Sequence, residues 1–381
     1  MDRHLIPESC ASDVQHEILE ADQLPQLRND WLILEASATG FQTYDWCHAW
    51  VKAAGEAGSP ESVRILVQRV AGKVALIWPM AIRQLGPCLI LHTLGEPATQ
   101  YSEVLIRDDP QGQELLALAW AAISSWKGID AIELRRVRQT SKLSQLEALR
   151  RFEAPGSLEA APYVDVSGKA GGSAIGQRTG RSRNALRRHE RLLSEHGEVR
   201  FEILRGPEDQ LGACREARIL KDSWRARKMI VTAGYAHPAS QGFLESLAAQ
   251  GQLCGARVRV GEDTAAIEIG MVRNGVYLSL VQSYDERFSR HAPGRILFWR
   301  FLDECPKLGI TVFDFLAPAT RHKQEWSEGA VATRDYFVPI SRRGRVAAYY
   351  LSHTKPALKR IYLRLPGWGK KIAERSLLRL S

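Results

Sequence analysis

The chain has few of the features that assign a protein quickly. Its six cysteines (Cys10, Cys47, Cys88, Cys214, Cys254 and Cys305) are scattered through 381 residues, with no CxxC and no paired spacing. That argues against a disulfide framework or a zinc site and fits a reducing cytosol. No stretch approaches the roughly 18 to 20 apolar residues of a spanning helix. The first residues, Met1-Asp2-Arg3-His4-Leu5-Ile6-Pro7, have no apolar core, so no secretory signal is expected and the location reads as cytoplasmic. There is no Ser/His/Asp nucleophile pattern, Walker loop, GxGxxG or metal-ligand spacing, and no metal is expected. The glycine-rich run from Gly168 to Ser173 lacks the strand–loop–helix frame a phosphate loop needs.

What is present begins with size. At this length two domains are expected. Hydrophobic residues make up 45% and charged residues 25%, the balance of a soluble globular protein. The net charge of +9 is concentrated: Ser352–Ser381 carries eight Lys/Arg and one acid, and so +7 of the total. The nearly neutral remainder argues against a protein built to wrap nucleic acid.

The second half has the clearer pattern. Ser182–His196 has a helical period, and Val199–Leu204 alternates as a strand. Helices are expected over Pro207–Arg227 and Pro238–Gln250. Strands follow at Gln252–Val260, Thr264–Val272 and Val276–Tyr284, the last two joined by the hairpin signal Asn274-Gly275. A helix over Arg295–Leu308, a buried strand over Ile310–Leu316 and a strand over Val331–Ile340 complete it. The first half follows a similar order: a helix at Thr43–Ala54, strands at Ser62–Val70, Lys73–Ile82, Cys88–Leu94 and Tyr101–Ile106, a helix at Gln111–Trp126, a strand at Ile129–Leu134 and a helix at Ser141–Arg150. The Gly-, Ser- and Ala-rich segment 156–180 marks the boundary. The expected division is therefore 1–160, 181–345 and a basic amphipathic tail over 346–381.

Several short motifs follow one another in a telling order: Arg183-Asn184-Ala185-Leu186-Arg187-Arg188, Ser283-Tyr284-Asp285-Glu286-Arg287-Phe288, Ala292-Pro293-Gly294-Arg295-Ile296-Leu297, Phe313-Asp314-Phe315-Leu316 and Lys323-Gln324-Glu325-Trp326. Phe41-Gln42-Thr43, Trp46, Trp50 and Trp78-Pro79-Met80 add to them. This set resembles the GNAT-like acetyltransferases of the CelD/BcsL type, associated with cellulose and exopolysaccharide synthesis. Here Ala292 stands where that family usually has serine, and His322 where it has tyrosine. The resemblance implies an α/β (α+β) fold of two tandem GNAT-like domains, each a mixed, mostly antiparallel sheet flanked by helices, as in the Fem-type transferases. It also implies acetyl-CoA or another acyl-CoA as co-substrate.

Acyl transfer needs a held donor, a deprotonated acceptor and a stabilised oxyanion. Arg287, Arg290, His291, Gly294 and Arg295 gather at one expected helix start, where backbone N–H groups and the helix dipole favour anions. These are the candidate donor-binding residues; solvated arginines around a Pro-Gly turn are the plain alternative. Glu268 and Asp314 interrupt apolar strands, and a buried acid is either paired or has a raised pKa. With Tyr284 and His322 they are the catalytic candidates, a structural salt bridge remaining open for the two acids. Asp285, Lys323 and Trp326 are candidates for acceptor binding. Trp326 and Trp224 also suit a core or pocket wall. The arginine face of residues 178–191 suits an anion or plain solvent.

The leading expectation is an acyltransferase acting on an amine or hydroxyl of a sugar, sugar nucleotide or envelope precursor. A Fem-type aminoacyl-tRNA-dependent transferase and a non-catalytic scaffold are the alternatives. In the tail, Leu358, Ile361, Tyr362 and Leu365 recur at helical spacing beside Lys359, Arg360 and Arg364. That pattern suits either weak contact with an anionic membrane or a helix packed on the body.

Overall fold

A computed structural model describes residues 14–108, 110–167, 180–228 and 236–364. Two compact units emerge, Met1–Glu159 with Ala332–Ser381 and Ala160–Val331. The expected domains followed one another along the chain. Instead, residues 332–345 belong to the first unit and residues 160–167 to the second.

The first unit opens with β1 (Val14–Leu19), α1 (Arg28–Leu34) and α2 (Tyr44–Glu56). Then come β2 (Ser62–Val70), β3 (Lys73–Leu85), β4 (Cys88–Thr93), the short β5 (Leu105–Ile106), α3 (Gly112–Ser124), β6 (Ala131–Arg138) and α4 (Glu147–Arg150). The chain crosses to the second unit through β7 (Glu159–Asp165), α5 (Gly180–Ser194), β8 (Val199–Ile203), α6 (Gly206–Lys228) and α7 (Ser240–Ala249). There β9 (Cys254–Val260), β10 (Asp263–Arg273) and β11 (Val276–Tyr284) precede α8 (Pro293–Glu304), β12 (Val312–Asp314) and α9 (Arg321–Gln324). β13 (Gly329–Pro339) carries the chain back, and α10 (Arg342–Tyr349) and α11 (Lys355–Arg364) follow.

The sheet of the first unit runs β1-β2-β3-β4-β6-β13, that of the second β7-β12-β11-β10-β9-β8. Each is antiparallel except for one central pair. β4 and β6 run parallel in the first, β11 and β12 in the second. A parallel pair needs a crossover, and α3 and α8 supply it. α3 buries Leu115, Leu116, Ala119 and Ile123 against Leu76, Trp78, Leu91 and Ile132. α8 buries Ile296, Phe298 and Phe301 against Tyr277, Phe313 and Phe315. Tyr277 stacks on Phe313 at 4.5 Å between ring centres. The Asn274-Gly275 hairpin forms as expected, both residues at positive φ (51° and 75°).

Element types follow the sequence closely; ends and interruptions do not. The expected strand at Tyr101–Ile106 shrinks to two residues, and the expected helix over Ser141–Arg150 splits at Leu146 into a 3-10 turn and α4. β1 and α1 were not anticipated, and β7 lies in what reads as linker. Among the described residues no helix is long and apolar enough to cross a membrane, and no cluster of side chains could hold a metal. The Gly168–Ser173 run and the tail from Leu365 to Ser381, with Trp368, Lys370 and Lys371, lie outside the described residues.

Candidate active site

The second unit has a gap in its sheet. β11 and β12 pair only over Val276–Leu278 and Val312–Asp314. β12 stops there, while β11 continues along β10 to Tyr284. Beside this extension lies a cavity of about 320 Å³. Lys221 and Trp224 of α6 form one wall, Gln282, Ser283 and Tyr284 of β11 the floor, and Ala292 with Pro293–Arg295 and Phe298 of α8 another wall. His322 of α9 closes one side.

The start of α8 shapes the mouth. Ala292 sits in the left-handed region (φ 49°, ψ 51°) and Pro293 takes the first turn, where its missing N–H costs nothing. A Cβ on Gly294 would meet no atom within 4 Å, so the backbone here faces open space. Arg295 lines the cavity with its guanidinium 3.4 Å from Glu325. Lys221 lies over the Trp224 ring at 4.9 Å and donates to the Gln282 carbonyl at 3.3 Å. Burial lowers its pKa, with the Glu268 charge opposing.

Glu268 is completely buried. Its Oε1 accepts from the Ser279 hydroxyl at 2.6 Å and from the Tyr277 hydroxyl at 3.2 Å. Ser279 in turn accepts from the Gln282 amide at 2.7 Å. Glu268 thus reaches the cavity through Ser279 and Gln282 and does not line it. Its Oε2 has no hydrogen-bond partner among the described residues. Burial pushes the carboxyl up to about 8, against the pull of Ser279, Tyr277, Lys323 and Lys221. A β-bulge builds this chain of contacts. The register slips between Ile269 and Gly270, so that Glu268 faces Gln282 and Gly270 faces Ser279. Gly270 is required: a Cβ there would come within 2.2 Å of the Leu278 carbonyl oxygen and 2.4 Å of the Tyr277 ring.

His322 is half-buried, 5.2 Å from the Phe298 ring. Burial lowers its pKa below the ordinary imidazole value; Arg295 and Lys323 push the same way and Glu325 opposes. At neutral pH the imidazole is therefore uncharged. Tyr284 ends β11 on the cavity floor and donates to Glu286 at 3.2 Å. Burial, helped by Glu286, raises its pKa, so the phenol stays protonated.

The other candidates stand elsewhere. Arg287 is not a free anion ligand: it is held by Asp285 at 2.7 Å and Asp263 at 3.0 Å. Asp285 also accepts from the Arg287 N–H, capping the 3-10 turn before α8, so its carboxylate is engaged in the loop. Arg290 is exposed outside the cavity lining. His291 faces His196, nitrogen to nitrogen at 3.0 Å. Asp314 is buried and accepts the N–H of Leu316, which sits at φ 60°; this shapes the turn after β12. Lys323 donates to the Leu316 carbonyl at 2.8 Å. Trp326 packs in the core beside Phe298. Of twelve candidates, Gly294, Arg295, Tyr284 and His322 line the cavity, with Glu268 behind it. Sequence reasoning missed Lys221, Ser279 and Gln282. A register counted from the hairpin turn puts Ser279 opposite Gly270, two residues from Glu268; only Gln282 needed the bulge to be known.

Residues 180–324 match the family model described as an acetyltransferase (GNAT) domain. The second unit carries a GNAT acetyltransferase fold. The match takes in the gap between β11 and β12, α8 and His322. Structural similarity extends over both units. FemX aligns with a TM-score of 0.61 at 10% identity, over 88% of this chain and all of that one (100%). A conserved protein of unknown function from Bacteroides thetaiotaomicron aligns at 0.52 and 11% identity, covering 85% and 99%. The C-terminal domain of a putative lysylphosphatidylglycerol synthetase from Agrobacterium fabrum aligns at 0.51 and 13% identity, covering 87% and 96%. At such identities the likeness is one of fold. No curated protein matches at the level of sequence. The mixed α/β architecture expected from the motifs is the one observed.

Proposed function

We propose that the chain is an acyl-CoA-dependent acyltransferase, with its site in the cavity of the GNAT domain. The observation that carries this is the parted β11–β12 pair, with the start of α8 opening into the gap. The residues suit a donor that carries phosphates on a slender arm. The α8 N-terminus favours anions, Arg295 and Lys221 add positive charge, and the space beside Gly294 is clear. The cavity is at the small end for ligand sites, so it suits the reacting end of such a donor, with the nucleotide outside. When bound, the donor supplies an activated thioester.

The chain's own groups divide the proton handling. Neutral His322 is the base that takes a proton from the acceptor amine or hydroxyl. Protonated Tyr284, once its hydroxyl turns from Glu286, donates to the departing thiolate. Glu268 does not touch the cavity; it positions Gln282 through Ser279 and fixes the bulge. Asp314 is left with the turn after β12. The acceptor class that goes with this reading is a sugar, sugar nucleotide or other envelope precursor, and its support is the motif resemblance to the CelD/BcsL type.

Trp224 on the cavity wall gives a direct test. Its fluorescence should change saturably with acetyl-CoA and not with charged tRNA. A response to charged tRNA alone would point to aminoacyl transfer, and no response to either would leave a scaffold.

A further inference from the structure

Within the described residues the chain ends on one helical rod: α10, a π-turn over Tyr350–Thr354, and α11. Its inner face is docked on the first unit. Gly344, Ala347, Ala348 and Leu351 are buried. A Cβ on Gly344 would lie 1.7 Å from the Asp130 carbonyl oxygen, so only glycine permits this approach. Ser341 caps the start, accepting the Gly344 N–H at 3.0 Å and bonding to the Asp130 carboxylate.

The outer face is apolar and open. Val346 is 71% exposed, Tyr349 63%, Leu358 53% and Ile361 58%. From Val346 to Ile361 the chain advances one residue more than the roughly 14 of four α-helical turns. The π-turn takes up that extra residue, which keeps Leu358 and Ile361 on the side of Val346 and Tyr349. The rod is packed on the body through its inner face, and apolar residues stand beside the cations on the outer one.

The charge is of one sign. Between Arg342 and Arg364 there are seven Lys/Arg and no Asp or Glu. A rod with an exposed apolar stripe, flanking tyrosines and only positive charge matches an interface that is apolar below and anionic at its surface. Nucleic acid offers the negative charge but no apolar layer for Val346, Leu358 and Ile361. We infer that this rod is a membrane-docking element for the anionic lipid surface, laid flat with its stripe in the headgroup boundary.

The test is co-sedimentation of the full chain with vesicles of phosphatidylcholine alone and mixed with phosphatidylglycerol, at low and high salt. Binding is expected to the mixed vesicles only, and weaker at high salt. The triple variant Val346→Ser, Leu358→Ser, Ile361→Ser leaves the buried face untouched and should lower partitioning about tenfold or more. Its far-ultraviolet dichroism and acetyl-CoA response should stay those of the parent, which separates this inference from the acyltransferase reading. Equal partitioning of parent and variant would overturn it. So would a parent dimer, formed without vesicles, that the variant abolishes, or a parent that shifts nucleic acid and ignores vesicles.

Discussion

In the first unit β4 and β6 run parallel over Ile90–His92 and Ala131–Glu133; in the second β11 and β12 do so over Val276–Leu278 and Val312–Asp314. Both units bring an antiparallel meander to such a pair and cross over through one helix. Beyond the pair they differ. In the second the gap is a cavity. In the first it is filled by Leu94–Ser102, and Ser102 bonds to both sides. The Ser102 N–H donates to the Arg135 carbonyl at 3.0 Å, the Arg135 N–H donates to the Ser102 hydroxyl at 2.9 Å, and Ser102 also bonds to the Thr93 hydroxyl at 2.6 Å. Tyr101 is buried against Phe41. Below lies a dense charge cluster in which Glu133 is paired with Arg83. Burial pushes Glu96 there up to about 8, the Glu133 charge adding to it. A similar scaffold thus leaves an open gap in one unit and a filled, charge-lined one in the other. Fold alone does not locate a function, and the open gap is where the proposed one would sit.

Three variants sharpen the contrast, the largest effect first. His322→Gln in the open gap should cost about 100-fold or more in turnover, the usual penalty for losing a general base. The parent's rate should fall with acid as the imidazole protonates below its ordinary pKa, and the variant should lose that limb. In the sealed gap, Glu133→Gln should lower stability by about 2 kcal/mol in denaturant titration. That is less than for a wholly buried pair, because Arg83 is partly exposed. Its acetyl-CoA affinity should be unchanged, and a large loss would mean that the first unit takes part in donor binding. Glu268→Gln should have the smallest effect at acid pH, where the parent carboxyl is neutral too. A carboxyl whose folded-state pKa is raised to about 8 favours folding fully only below its unfolded value. That contribution is lost as pH rises from near 4.5 through 8. Melting curves should therefore show the variant gaining on the parent as pH rises over this window. A gain that shrinks with pH would contradict the protonated state assigned to Glu268.

The sequence showed the order of elements in the second unit, the Asn274-Gly275 turn and the helix start at Gly294, because those rest on local chemistry. It showed neither the bulge nor the crossing of β7 and β13 between units, because those depend on pairing with distant strands. A regular count from the Asn274-Gly275 turn would place Val281 opposite Glu268, and the bulge puts Gln282 there instead. Gly270, a lone glycine within a strand pattern, was the available sign. The cluster from Arg287 to His291 was only partly legible for a related reason. Cations close together in sequence do not reveal whether Asp263 and Asp285 have already claimed one of them.

Calorimetric titration of acetyl-CoA into the full chain decides whether one gap of the two holds the donor. One site per chain is expected, with affinity weakened about 100-fold or more by Gly294→Asp. The open space there admits the side chain, while its charge opposes an anion at the helix start. The corresponding Gly112→Asp, at the start of α3 in the first unit, should change nothing. Two sites per chain, or affinity untouched by Gly294→Asp in a folded protein, would contradict it.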